Sequence, residues 1–179
     1  MFSKKEFRTF VKSELAKMSP VQFQKASQNI FQNLQHILSA QEGVWGAFQP
    51  LPDEPSLDWS QLRTGFIDCA YPVVNGSTLI FKKTSTRFLK TNWGINEPVD
   101  GQTAVIQEMN GIIVPGLAFH HQGYRLGRGK GFYDQNFNEF HKTRIGLCFD
   151  FAFSEKVPFE SHDLKMDYVI TEKQIYKIK

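Results

Sequence analysis

Apolar residues recur three or four positions apart over residues 4–18, where Phe7, Phe10, Val11, Leu15 and Met18 form one stripe. Lys4, Lys5, Arg8, Lys12 and Lys17 form the opposite face, and this period predicts an amphipathic helix. Ser19-Pro20 stops that helix and starts another, with Ser19 as N-cap, Pro20 in the first turn and Gln22 completing a capping box. The second helix is expected to reach Leu38, with Phe23, Ile30, Leu34 and Ile37 or Leu38 facing inward.

After Gly43 the pattern changes. Val44–Phe48 is a short continuous apolar run, as in a strand buried on both faces. Gln49–Pro55 holds Pro50, Pro52 and Pro55, so it can be neither helix nor central strand and is read as a shaped loop. Ser56 is expected to cap a short helix ending at Gly65, and Ile67–Tyr71 to form the next strand. Asn75-Gly76, between Val73-Val74 and Thr78–Phe81, signals a hairpin. Residues 82–111 follow no period and are read as irregular. Ile112–Val114 is another buried strand, ended by Pro115-Gly116. Residues 131–141 read as a helix, Ile145–Phe149 as a strand, Tyr168–Thr171 as the last inner strand and Ile175–Ile178 as an edge strand. Strands alternating with helices predict an α/β layered fold: a single domain, with a mostly parallel central sheet flanked by helices.

Composition narrows the function classes. A chain of 179 residues should bury roughly 70% of its unfolded surface without disulfides or a metal clip. With 41% hydrophobic and 22% charged residues, wholesale disorder is excluded. The 17 phenylalanines predict a ring-rich core with some rings left to line a pocket. No apolar run approaches the ~20 residues of a membrane helix, and no signal-peptide stretch follows Met1. Glu6 and Glu14, with lysine outnumbering arginine in the first helix, argue against a transit peptide. Cys69 and Cys148 lie far apart in apolar surroundings and read as reduced core thiols, so a cytoplasmic location is expected. His36, His120, His121, His141 and His162 have no zinc-site spacing. A net charge of +3 permits an anionic ligand but does not indicate nucleic acid, which usually needs a denser basic face.

One stretch carries chemistry: Arg125-Leu126-Gly127-Arg128-Gly129-Lys130-Gly131-Phe132-Tyr133-Asp134. Glycines alternate with cations, so the backbone can turn sharply and expose N–H groups beside positive side chains. A helix end adds only about 0.3–1 kcal/mol for an anion, whereas micromolar binding needs about 8 kcal/mol. Arg125, Arg128 and Lys130 must therefore do most of any phosphate holding. A P-loop would need Ser or Thr where Gly131 stands, and the dinucleotide pattern meets Phe132 or Asp134 at its third glycine. The competing reading is a glycine-rich turn with solvated charges. Asp134, in the first helical turn, either steadies the helix end or helps to hold Mg2+ beside phosphates. Phe132 and Tyr133 are core rings unless they stack on a flat heterocycle.

Val114-Pro115-Gly116-Leu117-Ala118-Phe119, then Gly123, then Arg125–Asp134, closely resembles the signature of the 5-formyltetrahydrofolate cyclo-ligase family. Lys4 and Arg8, Asp53-Glu54, Trp93-Gly94-Ile95 with Glu97-Pro98, and His162-Asp163 with Asp167 and Val169–Thr171 extend the resemblance over nearly the whole chain. His120 departs from it, standing where the family usually has aspartate. The resemblance implies an enzyme that uses ATP to phosphorylate the formyl oxygen of 5-formyltetrahydrofolate. N10 then attacks, and 5,10-methenyltetrahydrofolate, ADP and phosphate result.

By the same resemblance, Lys4, Lys5, Glu6, Phe7 and Arg8 bind ATP together with Arg125, Leu126, Gly127, Arg128, Gly129, Lys130, Gly131, Phe132 and Tyr133. Gln49, Glu54 and Trp93 face the folate, joined by the loop from Arg128 to Phe132, and Asp134 and Asp163 hold Mg2+. Read without the resemblance, Lys4 and Arg8 are a solvated helix face, Glu54 an exposed loop acid, Trp93 a core ring, and His162 and Asp163 loop polar residues. The partners implied are small molecules, with no nucleic acid and no membrane, and a monomer is expected. Two other classes remain open: a sugar-phosphate isomerase or CoA transferase of related α/β fold, which would not depend on ATP, and a module binding RNA through the Arg-Gly-Lys loop.

Overall fold

The computed structural model describes residues 2–62, 66–83, 85, 87–92 and 94–178. Two helices open the chain, α1 (Lys4–Lys17) and α2 (Pro20–Leu38). Both begin with a complete capping box, Ser3 with Glu6 and Ser19 with Gln22, which satisfies the first free N–H groups of each helix. The Ser3–Glu6 box went unread in the sequence. The Ser3 backbone N–H, followed by its hydroxyl, holds the Glu6 carboxyl below its ordinary range.

Among the described residues twelve strands follow: β1 (Gly43–Gly46), β2 (Ile67–Asn75), β3 (Thr78–Lys83), β4 (Phe88–Lys90), β5 (Asn96–Pro98), β6 (Gln102–Ala104), β7 (Gly111–Pro115), β8 (Ala118–Phe119), β9 (Arg125–Leu126), β10 (Thr143–Leu147), β11 (Tyr168–Ile170) and β12 (Ile175–Lys177). Eight of them form one sheet in the order β12-β11-β10-β7-β1-β2-β3-β6. The pairings from β11 through β10, β7 and β1 to β2 are parallel, and β12, β3 and β6 join antiparallel at the margins. The mostly parallel α/β sheet expected from the sequence is therefore present.

The sheet is covered on both faces. Ile113, Ile145 and Leu147 meet Ile30, Leu34 and Leu38 of α2. The alternate residues Ile112 and Val114 face the other way, toward Phe7 and Val11 of α1 and the rings of Phe81, Phe119 and Phe137. On α2, Ile30, Leu34 and Leu38 are buried as expected, Ala26, Ser27 and Phe31 complete the face, and Phe23 and Ile37 are only half-buried. The two strands at the centre approach closely through Gly111, where a Cβ would lie 2.4 Å from the Trp45 ring. Gly111→Ala should cost about 1–3 kcal/mol of stability through overpacking, read as a lower midpoint in denaturant unfolding.

Several boundaries differ from expectation. The segment read as irregular contains the β4–β5 hairpin and β6, strands of three residues that are too short to show a period. The short helix assigned to Ser56–Gly65 is a 3-10 turn, Trp59–Gln61, with Asp58 as its N-cap; Gly65 lies outside the described residues. The helix over 131–141 is only α3 (Phe132–Asn136). The spacing of Tyr133, Phe137 and Phe140 imitates a helical stripe, but Asn136 ties the end of α3 to the β2–β3 hairpin. Its Oδ1 accepts from Leu79 N at 3.1 Å, and its Nδ2 donates to Phe132 O at 2.8 Å and Ser77 O at 3.2 Å. β10 begins and ends two residues before the run read as Ile145–Phe149.

Cys148 is buried and Cys69 half-buried, and both are free thiols. Burial pushes Cys69 up to about 11 and Cys148 well above the ordinary thiol value, so neither is poised as a nucleophile near neutral pH. Among the described residues, no helix is long and apolar enough to cross a membrane.

Candidate functional site

The C-terminal ends of β1, β2 and β7 open onto one cavity of about 260 Å3. Ligands of open α/β sheets bind outside such strand ends. Phe48, Gln49, Leu51 and Glu54 line it from the Pro-rich loop after β1. Pro72, Val74 and Leu79 form a wall from the β2–β3 hairpin, and the segment from Arg125 to Tyr133 closes the far side. A wider cleft of about 880 Å3 opens beside Phe2, His120 and Phe159, but of the sequence-derived site residues only Glu6 lines it.

The glycine loop is fastened at its base. Arg125 N donates to Leu164 O at 3.0 Å, and Leu117 N to Leu126 O at 2.9 Å. Gly129 (φ 99°) and Gly131 (φ 70°) are in the left-handed region, which L side chains rarely adopt, so glycine is needed at both positions. Arg125 is a buried strut. Its Nε donates to Pro115 O at 2.7 Å, its Nη1 to Asp134 Oδ2 at 3.2 Å, and its guanidinium carbon lies 5.0 Å from the centre of the Tyr133 ring. Gly127 leaves room for that guanidinium, which a Cβ would approach to 2.5 Å.

Glu54 is 6% exposed, not the exposed loop acid that local sequence suggests. Its Oε2 accepts from Leu51 N at 3.0 Å, and its Oε1 accepts from Arg128 Nη2 at 3.0 Å. Arg128 also pairs with Asp53. Burial pushes the Asp53 carboxyl up, but hydrogen bonding and the charge of Arg128 outweigh it and leave the group below its ordinary value.

Helix α1 reaches the same loop. Arg8 Nε donates to Gly127 O at 2.8 Å, and Lys4 Nζ to Asp163 Oδ1 at 2.8 Å. Arg8 is thus directed at the glycine loop and Lys4 at Asp163, so neither is left as part of a solvated face. Two elements 119 residues apart in sequence meet there.

Residues 1–172 match the 5-formyltetrahydrofolate cyclo-ligase family. The chain belongs to this family. It is 34% identical to the 5-formyltetrahydrofolate cyclo-ligase of Mus musculus over 93 residues, a stretch covering 46% of each chain. The match therefore spans about half the length of that relative. It is 32% identical to the Escherichia coli 5-formyltetrahydrofolate cyclo-ligase over 125 residues, covering 66% of this chain and 69% of the relative. The solution structure of Aquifex aeolicus 5,10-methenyltetrahydrofolate synthetase aligns over 98% of this chain and 93% of that one, with a TM-score of 0.83 and 26% identity. These relatives carry the names of ligases, and the chain shares the overall fold of that structure.

The remaining cyclo-ligase positions divide into those that reach the cavity and those that do not. Gln49, Glu54, Gly127, Arg128, Lys130, Gly131, Phe132 and Tyr133 line it. Lys130 and Gly129 are exposed at the loop tip. Phe7 and Leu126 are core residues at 1% exposure, so their side chains pack rather than face a ligand. Lys5 is exposed, and Glu6 is occupied in its capping box. Trp93 lies outside the described residues. The cavity also has wall residues to which sequence reasoning gave no role, notably Leu79, Ile95, Leu117 and Glu97, whose Oε1 accepts from Val74 N at 3.2 Å. Ile95, Glu97 and Leu117 all lie in the motif blocks that carry the resemblance, and Leu79 in the hairpin strand, but nothing in the local sequence shows that they meet in one wall.

The carboxylates assigned to Mg2+ flank one peptide. Leu164 N donates to Asp134 Oδ1 at 3.1 Å, and Asp163 immediately precedes it in the chain. Asp134 pairs with Arg125, and Asp163 pairs with Lys4 at 2.7 Å. Among the described residues no three acidic, histidine or cysteine side chains gather as a metal group. The donor set still suits Mg2+, which takes one or two carboxylates and completes its shell with phosphate oxygens and water. Because α3 has five residues, its end has little to offer an anion.

Proposed function

We propose that this chain converts 5-formyltetrahydrofolate to 5,10-methenyltetrahydrofolate with ATP and Mg2+, releasing ADP and phosphate, within one cytoplasmic, monomeric domain. The observation that carries the reading is the convergence on one cavity of a buried carboxylate, Glu54, and the cationic glycine loop, backed by Lys4 and Arg8. A folate pterin offers ring and amino N–H groups, and a desolvated carboxylate is their natural acceptor. The triphosphate is anionic and needs the cations.

The chemistry follows from a poor leaving group. An amide-like formyl oxygen does not depart, so it takes the γ-phosphoryl group of ATP and ADP leaves. N10 attacks the activated carbon, the C–O bond breaks with release of phosphate, and the ring closes. The protein's part is positioning and charge neutralisation. Glu54 and Gln49 orient the folate, Arg128 and Lys130 stand at the junction of the two substrates, and Arg8 and Lys4 hold the nucleotide side. Asp134 and Asp163 would hold Mg2+, which when bound offsets phosphate charge. Lys4, now paired with Asp163, would then turn toward the phosphates, while Arg125 stays in place as a strut.

Magnesium dependence tests this assignment. Asp134→Asn should need several-fold more Mg2+ for half-maximal rate and should show a lower maximal rate, because charge is lost while size is kept. Superimposed Mg2+ titrations with a lowered thermal midpoint would instead make Asp134 a structural partner of Arg125.

A further inference from the structure

The functional reading leaves Asp53 without a role. Arg128 Nη1 donates to Asp53 Oδ2 at 2.9 Å, and Nη2 donates to Oδ1 of the same carboxylate. This two-pronged fork is the strongest and most directional form of an arginine–carboxylate pair. Glu54, one residue later, offers Arg128 a single oxygen: Oε1 accepts from Nη2 at 3.0 Å and from Nε at 3.3 Å. One guanidinium therefore spans two neighbouring carboxylates of the Pro-rich loop, and the two grips differ in quality.

We propose that Asp53 is a positioning residue that keeps Arg128 fixed between the Pro-rich loop and the glycine loop while a folate ligand occupies the Glu54 carboxylate. The inference rests on the cyclo-ligase reading, in which Glu54 and Arg128 both face the folate. A ligand whose N–H groups take Glu54 displaces Arg128 from Oε1. With the fork to Asp53 intact, the guanidinium stays in place beside the cavity. Without Asp53, Glu54 is the carboxylate left to Arg128, and the folate must compete with an internal cation for its own acceptor. Asp53 is half-buried and its side chain does not line the cavity, so it acts through Arg128 and not on the ligand.

The test is calorimetric titration with 5-formyltetrahydrofolate and, separately, ATP. Wild type is measured first; failure to bind the folate would overturn the cyclo-ligase reading itself. Given wild-type binding, Asp53→Asn should raise the folate dissociation constant about tenfold, equivalent to about 1.4 kcal/mol, and leave that of ATP unchanged. Asp53→Glu should restore most of the affinity. In an Arg128→Ala background, Asp53→Asn should have no further effect, because the competitor is already gone. An equal loss for both substrates, the same loss in the Arg128→Ala background, or wild-type folate affinity in Asp53→Asn would overturn the role of Asp53 while leaving the cyclo-ligase reading standing.

Discussion

Alanine at Arg128 or at Lys130 is expected to remove most turnover, by roughly 100-fold or more each, from a protein that remains folded. One preorganised charge or donor contributes about that much to a transition state in which negative charge develops. Lys130 is exposed at the tip of the glycine loop and lines the cavity, so its removal leaves the core untouched. Arg128 is different because it spans Asp53 and Glu54. Its side chain is 34% exposed, so solvent screens the loss and the stability cost should stay near about 1 kcal/mol. The check is steady-state kinetics beside thermal unfolding of each variant. Near-wild-type kcat/KM in both would show the loop to be a glycine-rich turn with solvated charges.

The second large effect concerns Glu54→Gln. A carboxylate offers only acceptors, whereas the amide turns one of the two oxygens into a donor and removes the charge. Oε1 faces Arg128 and Oε2 is taken by Leu51 N, so either orientation of the amide loses a favourable contact or sets two donors together. Charge-assisted hydrogen bonds are worth about 1.5–3 kcal/mol, so folate binding should weaken roughly 10- to 150-fold. ATP binding should change little, because the neighbours of Glu54 in the cavity are the Pro-rich loop and Arg128 rather than Lys4 or Arg8. Titration calorimetry with each substrate separates the outcomes. Equal losses for ATP and folate, or none for folate, would remove Glu54 from the folate side.

The fold was legible where a period or a cap repeated. The stripes of α1 and α2, the Ser19–Gln22 box, the Asn75-Gly76 hairpin and the apolar runs of β1 and β7 all carry local signals, and all stand in the structure. What failed was short or set by distant contacts. Strands of three residues cannot display a period, and α3 ends where Asn136 bonds to a hairpin more than fifty residues earlier in the sequence. The same division holds for the site. The glycine loop announces itself by composition, and the resemblance added Lys4, Arg8 and Glu54. No local pattern could place Arg8 on Gly127 O, pair Arg128 with Asp53, or turn Arg125 inward onto Pro115 O as a strut. Those contacts join residues from separate elements, and only the packed sheet brings them together.

The most direct test of the central claim mixes the purified chain with 5-formyltetrahydrofolate, ATP and Mg2+ and follows the near-ultraviolet absorbance of the methenyl product. The expected result is an absorbance rise that requires ATP and is matched by one ADP for each product formed. No rise, a rise independent of ATP, or salt-sensitive RNA binding without turnover would contradict it.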